Sequence, residues 1–583
     1  MLTNKQTNKQ TDRQTGELTG YPSIDKPWLK YYTKEQIELS LPKAKAFDYV
    51  VDRNKNNKTY TAINYYNKKI TFDEMFNWTE KAAKAFSAIG VTQGDIVAIV
   101  SVTLPETIYS FYGLNRIGAI SNMIDPRTSI EGIRDYFLEV DASTVITIDL
   151  VYERILKAAE GTNIKNVIVI SPSDSLPVLL KTLYKLKNKN KINNNHFRWR
   201  DFIKLGERQE LEETKYEGNT CCTIVHTGGT TGFPKGVMLS DDNINAAAQQ
   251  ILESPLPLSC GDKFLNIMPP FIAYGTVLGI HTVSVGGLES VIIPKFEPSE
   301  FDSLLLKYKP QCVMGVPTHF DTIMKSKKMQ GIDLSFLKIA FVGGDKIKEE
   351  AEKAINNFFA EHNCNIKISK GYSLTEASAT STFASKDCNK EGSVGSPLAK
   401  TIVSAFGDSC DDEKPCGEIG NIYISTPTIM IGYYGEKDET SQIIKTDKNG
   451  RKWLFTGDLG YIDEDGCVFI MGRAKRMIVR HDGFKVFPSL VEKTINSHSA
   501  IQDCCVVGKK DSEHSQGSMP IAFITMKQDV NASFDEVVSD IKSLCNKELP
   551  EYAQPIAFKE IKKLPVTPIG KIDYRALEEI INC

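Results

Sequence analysis

Apolar residues recur at Met75, Trp78, Ala82, Phe86 and Ile89, a spacing that stacks them on one face of a helix. Just before them, Thr71-Phe72-Asp73-Glu74 has the form of a capping box, in which two side chains satisfy backbone N–H groups at a helix start. Gly90 stops that helix. The next apolar run, Ile96–Val102, is continuous and reads as a buried strand. A second helix is predicted over roughly Pro105–Arg116, and runs such as Asn166–Ile170 read as further strands. Strands alternating with helices predict an α/β protein built on mostly parallel sheets.

The most apolar longer stretch, Tyr274–Pro294, contains His281, Glu289 and several glycines. It is predicted to be a buried helix followed by a strand, and not a membrane span. Over Leu176–Ile192 the pattern changes. Leu176, Leu179, Leu180, Leu183 and Leu186 form one helical face, Lys181, Lys185, Lys187, Lys189 and Lys191 supply charge, and Asn193–Asn195 make a polar end. Such a segment is either a membrane-surface helix or a solvated surface insertion. The insertion is preferred, so peripheral membrane contact is not the favoured reading.

At the start, Thr3-Asn4-Lys5-Gln6 recurs as Thr7-Asn8-Lys9-Gln10 and, more loosely, as Thr11-Asp12-Arg13-Gln14. A polar tetrad without an apolar run is neither a signal peptide nor able to bury surface. Residues 1–20 are therefore expected to be a disordered polar tail. After Gly472 the pattern shifts again, through the cation-dense Arg473-Ala474-Lys475-Arg476, to a unit of about 110 residues with its own strands and helices. That is enough for a small domain. The expected organisation is the tail, a large N-terminal domain over 21–472 of mostly parallel sheets with packed helices, and a small α+β domain over 473–583.

Composition sharpens this picture in two ways. The chain has 583 residues, 41% hydrophobic and 25% charged, so large cores can form and wholesale disorder is excluded. Seventy basic against 73 acidic residues leave a formal charge of −3, which excludes a strongly basic nucleic-acid-coating protein. The 13 cysteines are scattered, with no CxxC pair, and the eight histidines show no zinc-like spacing. Free thiols in a reducing cytoplasm are expected.

The sharpest chemical signal is Thr227-Gly228-Gly229-Thr230-Thr231-Gly232-Phe233-Pro234-Lys235-Gly236, which follows the β-prone run Cys221–Val225. Glycines and hydroxyl residues leaving a strand can wrap N–H and O–H donors around phosphate oxygens, and a lysine adds charge. The loop is not a Walker A motif, because its lysine lies between proline and glycine.

This loop resembles the phosphate loop of the acyl-adenylate-forming (AMP-binding) superfamily, which includes acyl-CoA synthetases, peptide-synthetase adenylation domains and firefly-type luciferases. Four more motifs follow in that family's order. Gly371-Tyr372-Ser373-Leu374-Thr375-Glu376 resembles its adenine and magnesium motif, and Trp453-Leu454-Phe455-Thr456-Gly457-Asp458 its ribose motif. Gly472-Arg473-Ala474-Lys475 resembles the hinge, and Pro568-Ile569-Gly570-Lys571 the motif of the catalytic lysine. The resemblance runs from about Tyr60 to the C-terminus.

It implies ATP, Mg²⁺ and CoA as reactants. Glu376, with the Thr230 hydroxyl, would hold Mg²⁺, a hard ion that takes oxygen ligands. Tyr372 would stack on adenine, Asp458 would accept both ribose hydroxyls, and Arg473 would fork onto ribose and phosphate oxygens. Gly343-Gly344-Asp345, after the strand Ile339–Val342, resembles the adenine-edge loop, with Lys346 where the family commonly has proline. Lys571 would stabilise charge as the mixed anhydride forms. Lys475 would be the pivot of a mobile C-terminal domain, and the segment around Gly483 would line the arm of the incoming thiol.

The motif Met268-Pro269-Pro270-Phe271-Ile272-Ala273-Tyr274-Gly275 aligns with the family's acyl-pocket motif. Ile272 stands where amino-acid-activating relatives usually carry an aspartate, and an ammonium buried there would lose hydration without compensation. Gly315 and Gly343, on expected pocket walls, are read as leaving room for a chain. The resemblance thus implies ATP-dependent activation of a hydrophobic, fatty-type carboxylic acid to acyl-AMP, followed by transfer to CoA. The alternative acceptor is the phosphopantetheine thiol of a separate acyl carrier protein.

Overall fold

The computed structural model describes residues 18–582 apart from 189–191, 212–213, 228–233, 344–346, 386–387, 483, 515, 529 and 567–571. The tetrad repeat lies outside the described residues. Close behind it the chain is tied down. Asp25 accepts from the Gly20 N–H at 2.8 Å, and the Gly20 carbonyl accepts from Cys416 N–H at 2.8 Å.

The capping box forms as read. Thr71 and Glu74 cap each other, and the helix Phe72–Ala88 buries Met75, Ala82 and Phe86. Trp78 stays half-exposed and stacks on Tyr109 with ring centroids 6.0 Å apart. Gly90 ends the turn with φ +86, a conformation that glycine reaches without strain. The helix packs on Pro105–Arg116.

Continuous apolar runs become buried parallel strands. Ile96–Val100 lies at the centre of an eight-stranded sheet, flanked by Ile120–Ile124 and Thr144–Ile148. Beyond Thr144–Ile148 come Asn166–Ile170 and Phe197–Arg198. On the other side, Cys221–His226 runs parallel to Ile120–Ile124, and Gly236–Ser240 then turns back antiparallel. A seven-stranded sheet holds Ser369–Lys370, Ile339–Val342, Cys312–Gly315, Lys263–Asn266, Glu289–Ile292 and Thr61–Tyr65 in parallel order, with Lys68–Thr71 antiparallel at its edge. The apolar stretch after Tyr274 becomes a buried π-type helix, Tyr274–Thr282, and the strand Glu289–Ile292.

Not every sheet is parallel. Ile402–Phe406, Gly420–Ser425, Ile444–Thr446, Lys452–Ile462 and Val468–Arg473 form a five-stranded antiparallel sheet. The smaller C-terminal unit pairs Ile501–Lys510 with Ser518–Met526 antiparallel and adds Ala557–Glu560 parallel. Helices Pro488–Asn496 and Phe534–Glu548 cover this sheet.

One expectation needs correction. Ten described cysteines are free, but a disulfide joins Cys388 to Cys467. The two lie on neighbouring loops that the folded chain brings together, which scattered spacing does not reveal. The leucine-rich segment forms the helix Val178–Lys187, shorter than its apolar pattern, and buries none of its residues. Its polar face meets the body, through Tyr184 to Asp149 and Lys181 to the Asp174 carbonyl, while Val178, Leu179, Leu183 and Leu186 point outward. Among the described residues no helix is long and apolar enough to cross a membrane.

Glu106, in the first turn of Pro105–Arg116, is buried and accepts from the Ser175 hydroxyl at 2.6 Å. Burial, with the Asp174 carboxylate nearby, pushes its carboxyl up to about 7 from an ordinary 4.5. A carboxyl that binds its proton more tightly when folded stabilises fully below the unfolded value, and that contribution is lost as pH rises through 7. Glu106→Gln should therefore stabilise the protein above roughly pH 8, by about 3 kcal/mol, and hardly at all near pH 4. Melting curves at both pH values check this; equal shifts would contradict it.

Candidate active site

The strands Cys221–His226 and Gly236–Ser240 meet at a neck where the Thr227 N–H donates to the Lys235 carbonyl at 3.0 Å. Beneath the neck, His226 is buried against Tyr136, rings stacked 4.0 Å apart, with Nε2 3.1 Å from Asn122 Oδ1. Burial pushes its imidazole down to about 4, so it is neutral near pH 7. Of the glycine-rich loop that the neck closes, Gly228, Gly229, Thr230, Thr231 and Gly232 lie outside the described residues.

Lys235 crosses the face of Tyr433, 4.9 Å from the ring centroid, and forms an ion pair with Glu439. The Tyr433 hydroxyl donates to Glu376 Oε1 at 2.7 Å. Burial and then the Glu376 charge hold the Tyr433 phenol above its ordinary pKa, which keeps it a donor. Glu376 sits in the short turn Thr375–Ala377, anchored where the Met430 N–H donates to its carbonyl at 2.9 Å. Thr375 is half-buried in the same turn.

A second group adjoins the first. The Tyr372 hydroxyl donates to the Asp458 carboxylate, and Arg473 Nε lies 3.1 Å from Asp458 Oδ1. Asp458 and Arg473 face each other in register on the strands Lys452–Ile462 and Val468–Arg473. Thr456 holds both: its hydroxyl accepts from the Asp458 N–H at 3.1 Å and its carbonyl accepts from Arg473 Nη1 at 2.9 Å. Between them Gly457 adopts φ +72 and turns the strand. Partial desolvation opposes the Arg473 charge, but Asp458, Tyr372 and Glu376 outweigh it and raise its pKa. Glu376 of the first group thus acts on the charge of Arg473 in the second. An acceptor-only carboxylate, 4% exposed, beside a donor-only guanidinium matches a sugar hydroxyl, which both donates and accepts.

Gly371 is required where the chain passes Phe341. A Cβ there would lie 2.7 Å from the Thr382 carbonyl and 2.8 Å from Phe341. After Arg473 the chain makes one 3-10 turn, Ala474–Arg476, with Lys475 exposed on it. Arg476 already belongs to the small unit, pairing with Glu492 and donating to the Val506 carbonyl at 3.2 Å. Gly344, Asp345, Gly483 and Lys571 lie outside the described residues.

The space expected above two glycines is filled. A Cβ on Gly343 would come within 2.9 Å of Tyr274 Oη and of Phe341, and one on Gly315 within 2.9 Å of His319. These glycines admit neighbouring side chains instead of leaving an open slot. Ile272 is partly exposed, while Phe271 beside it is buried. Sequence reading did not single out Tyr433 or Glu439, and it quoted Thr456 only as part of the Trp453–Asp458 motif. Gly432-Tyr433-Tyr434 carries no periodic signal, and Glu439 gains meaning only from Lys235 across the fold.

The large unit of parallel-rich sheets with a smaller C-terminal unit is the fold of adenylate-forming enzymes. The chain belongs to the AMP-binding enzyme family, whose model matches residues 50–434, with the AMP-binding enzyme C-terminal domain matching 490–571. It is 29% identical to a long-chain-fatty-acid–CoA ligase of Bacillus subtilis (strain 168), over 95% of this chain and 98% of that one. It is also 29% identical to a probable 4-coumarate–CoA ligase of Dictyostelium discoideum, over 82% of each. Among solved structures, an anthranilate CoA ligase in complex with anthranoyl-AMP superposes with a TM-score of 0.78, at 22% identity, over 93% of this chain and 98% of that one.

Asp458→Asn should weaken AMP binding by about tenfold to a hundredfold, because a hydrogen bond to a charged group is worth roughly 1.5–3 kcal/mol. Thr456→Val, which removes a hydroxyl that accepts from the Asp458 N–H and donates to the Ile422 carbonyl, should have a smaller effect of the same sign. Calorimetric titration with AMP ranks the two variants, and unchanged affinity in Asp458→Asn would exclude Asp458 from the nucleotide site.

Proposed function

We propose that the protein is an AMP-forming acid–CoA ligase acting on a hydrophobic carboxylic acid, with fatty acids as the favoured class. The carboxylate attacks the α-phosphorus of ATP, giving acyl-AMP and pyrophosphate. The CoA thiol then attacks the acyl carbon, AMP leaves, and the thiol proton passes to solvent. The observation that carries this reading is the pair of side-chain groups built from the motif residues, Lys235 and Glu376 joined through Tyr433, and Tyr372 and Arg473 joined through Asp458.

Each described group has a task there. Asp458 and Arg473 orient the ribose, and Tyr372, fixed by its bond to Asp458, offers a face to adenine. Lys235 offers positive charge at the loop neck. Glu376, held by Tyr433, is a hard oxygen donor of the kind Mg²⁺ takes, and the family resemblance gives the Thr230 hydroxyl to the same ion. When bound, that ion would neutralise phosphate charge as pyrophosphate departs. Lys571 would stabilise the developing charge between carboxylate and phosphate. The boundary near Arg473, with Lys475 exposed between two anchored arginines, supports a pivot that carries the 473–583 unit between half-reactions. Both co-substrates support a cytoplasmic location.

The acid is read from the wall behind Gly343. Phe341 and Phe383 stack with centroids 5.7 Å apart, and Tyr274 lies 6.2 Å from Phe341. The buried Tyr274 hydroxyl has no hydrogen-bond partner among the described residues, and Ile272 offers no counter-charge to an ammonium. The relative named long-chain-fatty-acid–CoA ligase supports a fatty acid. The same aromatic wall would stack a planar ring, and the 4-coumarate–CoA ligase relatives make an aromatic acid the second reading. A carrier-protein thiol is the alternative acceptor, distinguished by comparing kcat/KM with free CoA.

Pyrophosphate exchange across a panel of fatty, aromatic and amino acids tests the reading; if no acid drives exchange, it fails. Lys571→Ala should lower exchange by about 10²–10³-fold and spare transfer from supplied acyl-AMP to CoA. Tyr274→Ala should open the space above Gly343 and shift preference towards longer or bulkier acids, read as the order of kcat/KM across the panel.

A further inference from the structure

Away from the nucleotide cleft, three side chains of the C-terminal unit converge on one point. We propose that His481, Asp511 and His514 form a binding site for a divalent transition ion of borderline softness, with zinc as its representative. His481 Nδ1 lies 2.8 Å from Asp511 Oδ2, and His514 Nδ1 lies 3.0 Å from the same oxygen. The two imidazoles stack face to face, centroids 3.5 Å apart and planes within 3°. All three donor atoms lie within 4.8 Å of one another.

The arrangement is imposed by the backbone. Asp511 and His514 stand on the turn between strands Ile501–Lys510 and Ser518–Met526, while His481 comes from the segment that follows Ile478–Val479. Gly517, at φ +101, lets the turn press onto that segment: a Cβ there would lie 2.3 Å from the His481 nitrogen. The Asp511 N–H donates to the Gly517 carbonyl at 3.1 Å, which closes the turn. The Asp511 side chain is only 6% exposed, and its Oδ1 is occupied by the Glu513 N–H at 3.0 Å. Oδ2 is thereby aimed at both imidazoles. Asp482, the other nearby carboxylate, is engaged by Arg480.

Two imidazoles and one carboxylate suit zinc, cobalt or nickel and not magnesium or calcium, which prefer oxygen alone. Donor atoms around zinc at about 2.0–2.1 Å in a tetrahedron stand roughly 3.4 Å apart. The two N···O separations fall a few tenths of an ångström short of that spacing, and the half-exposed His514 ring must also rotate out of the stack so that both in-plane nitrogen lone pairs meet at one ion. His514 is 45% exposed, giving an ion a way in and leaving a position for water. A bound ion would clamp the segment before Lys485–Val486 to the turn at 511–517.

Zinc titration of the full-length Cys260→Ser protein against a chromophoric chelator, without nucleotide, tests the site. That background removes the exposed described thiol. One equivalent of zinc is expected to bind, with affinity falling at least about tenfold to a hundredfold in His514→Ala and in Asp511→Asn. Cobalt should give weak visible bands without the near-ultraviolet charge-transfer bands of a thiolate. Hydrogen exchange should slow in both 478–486 and 508–518 when zinc is added, and not in His514→Ala. The proposal is overturned if the variants bind zinc as the parent does. Thiolate bands with cobalt, or protection of only one segment, would overturn it equally. Circular dichroism of each variant separates loss of the site from loss of the fold.

Discussion

A single buried carboxylate organises the cleft. Asp458 receives the Tyr372 hydroxyl from one segment and the Arg473 guanidinium from the strand beside it, so three stretches of chain are fixed by one group. A carboxylate placed this deep is stable only when its charge is met by donors. Tyr372, Arg473 and the Asp458 backbone bond to Thr456 meet it here. The antiparallel register that sets Asp458 opposite Arg473 is therefore the constraint on which this group depends.

The group around Lys235 follows a similar logic with looser parts. Lys235 is held between Glu439 and the Tyr433 face, and Tyr433 in turn steadies Glu376. Such neighbours orient a charge before a ligand arrives, which lowers the entropy lost on binding. The rigid frame comes from elsewhere: parallel strands such as Thr144–Ile148 and Ile339–Val342, buried along their whole length, hold the sheet ends from which the loops emerge.

Contacts between the large and small units have a different character. Lys348 reaches Asp503 at 2.9 Å and Lys493 pairs with Glu349, both on the surface. Exposed ion pairs of this kind are worth about 1 kcal/mol or less each. Weak, polar contacts permit rearrangement more readily than a shared apolar core does. Within the small unit, the close approach of Gly517 to His481 is of the opposite kind, a backbone contact with no room to slide.

Local pattern alone determined much of this protein. The capping box at Thr71 and Glu74, the continuous strands, and the order of glycine-rich and acidic motifs are short-range features, and short-range physics sets them. Tyr372, Glu376, Asp458 and Arg473 stood out in the sequence because each lies in a contiguous motif, and the fold joins Tyr372, Asp458 and Arg473 directly. Tertiary structure alone decided the rest. Tyr433 and Glu439 matter only because Lys235, some two hundred residues earlier, folds onto them. Gly315 and Gly343 looked like empty wall, yet His319, Tyr274 and Phe341 occupy that volume, since packing leaves few voids and sequence does not say which neighbour fills one. The Cys388–Cys467 disulfide and the convergence of His481, Asp511 and His514 depend likewise on distances that loops and sheets set between segments far apart in the chain.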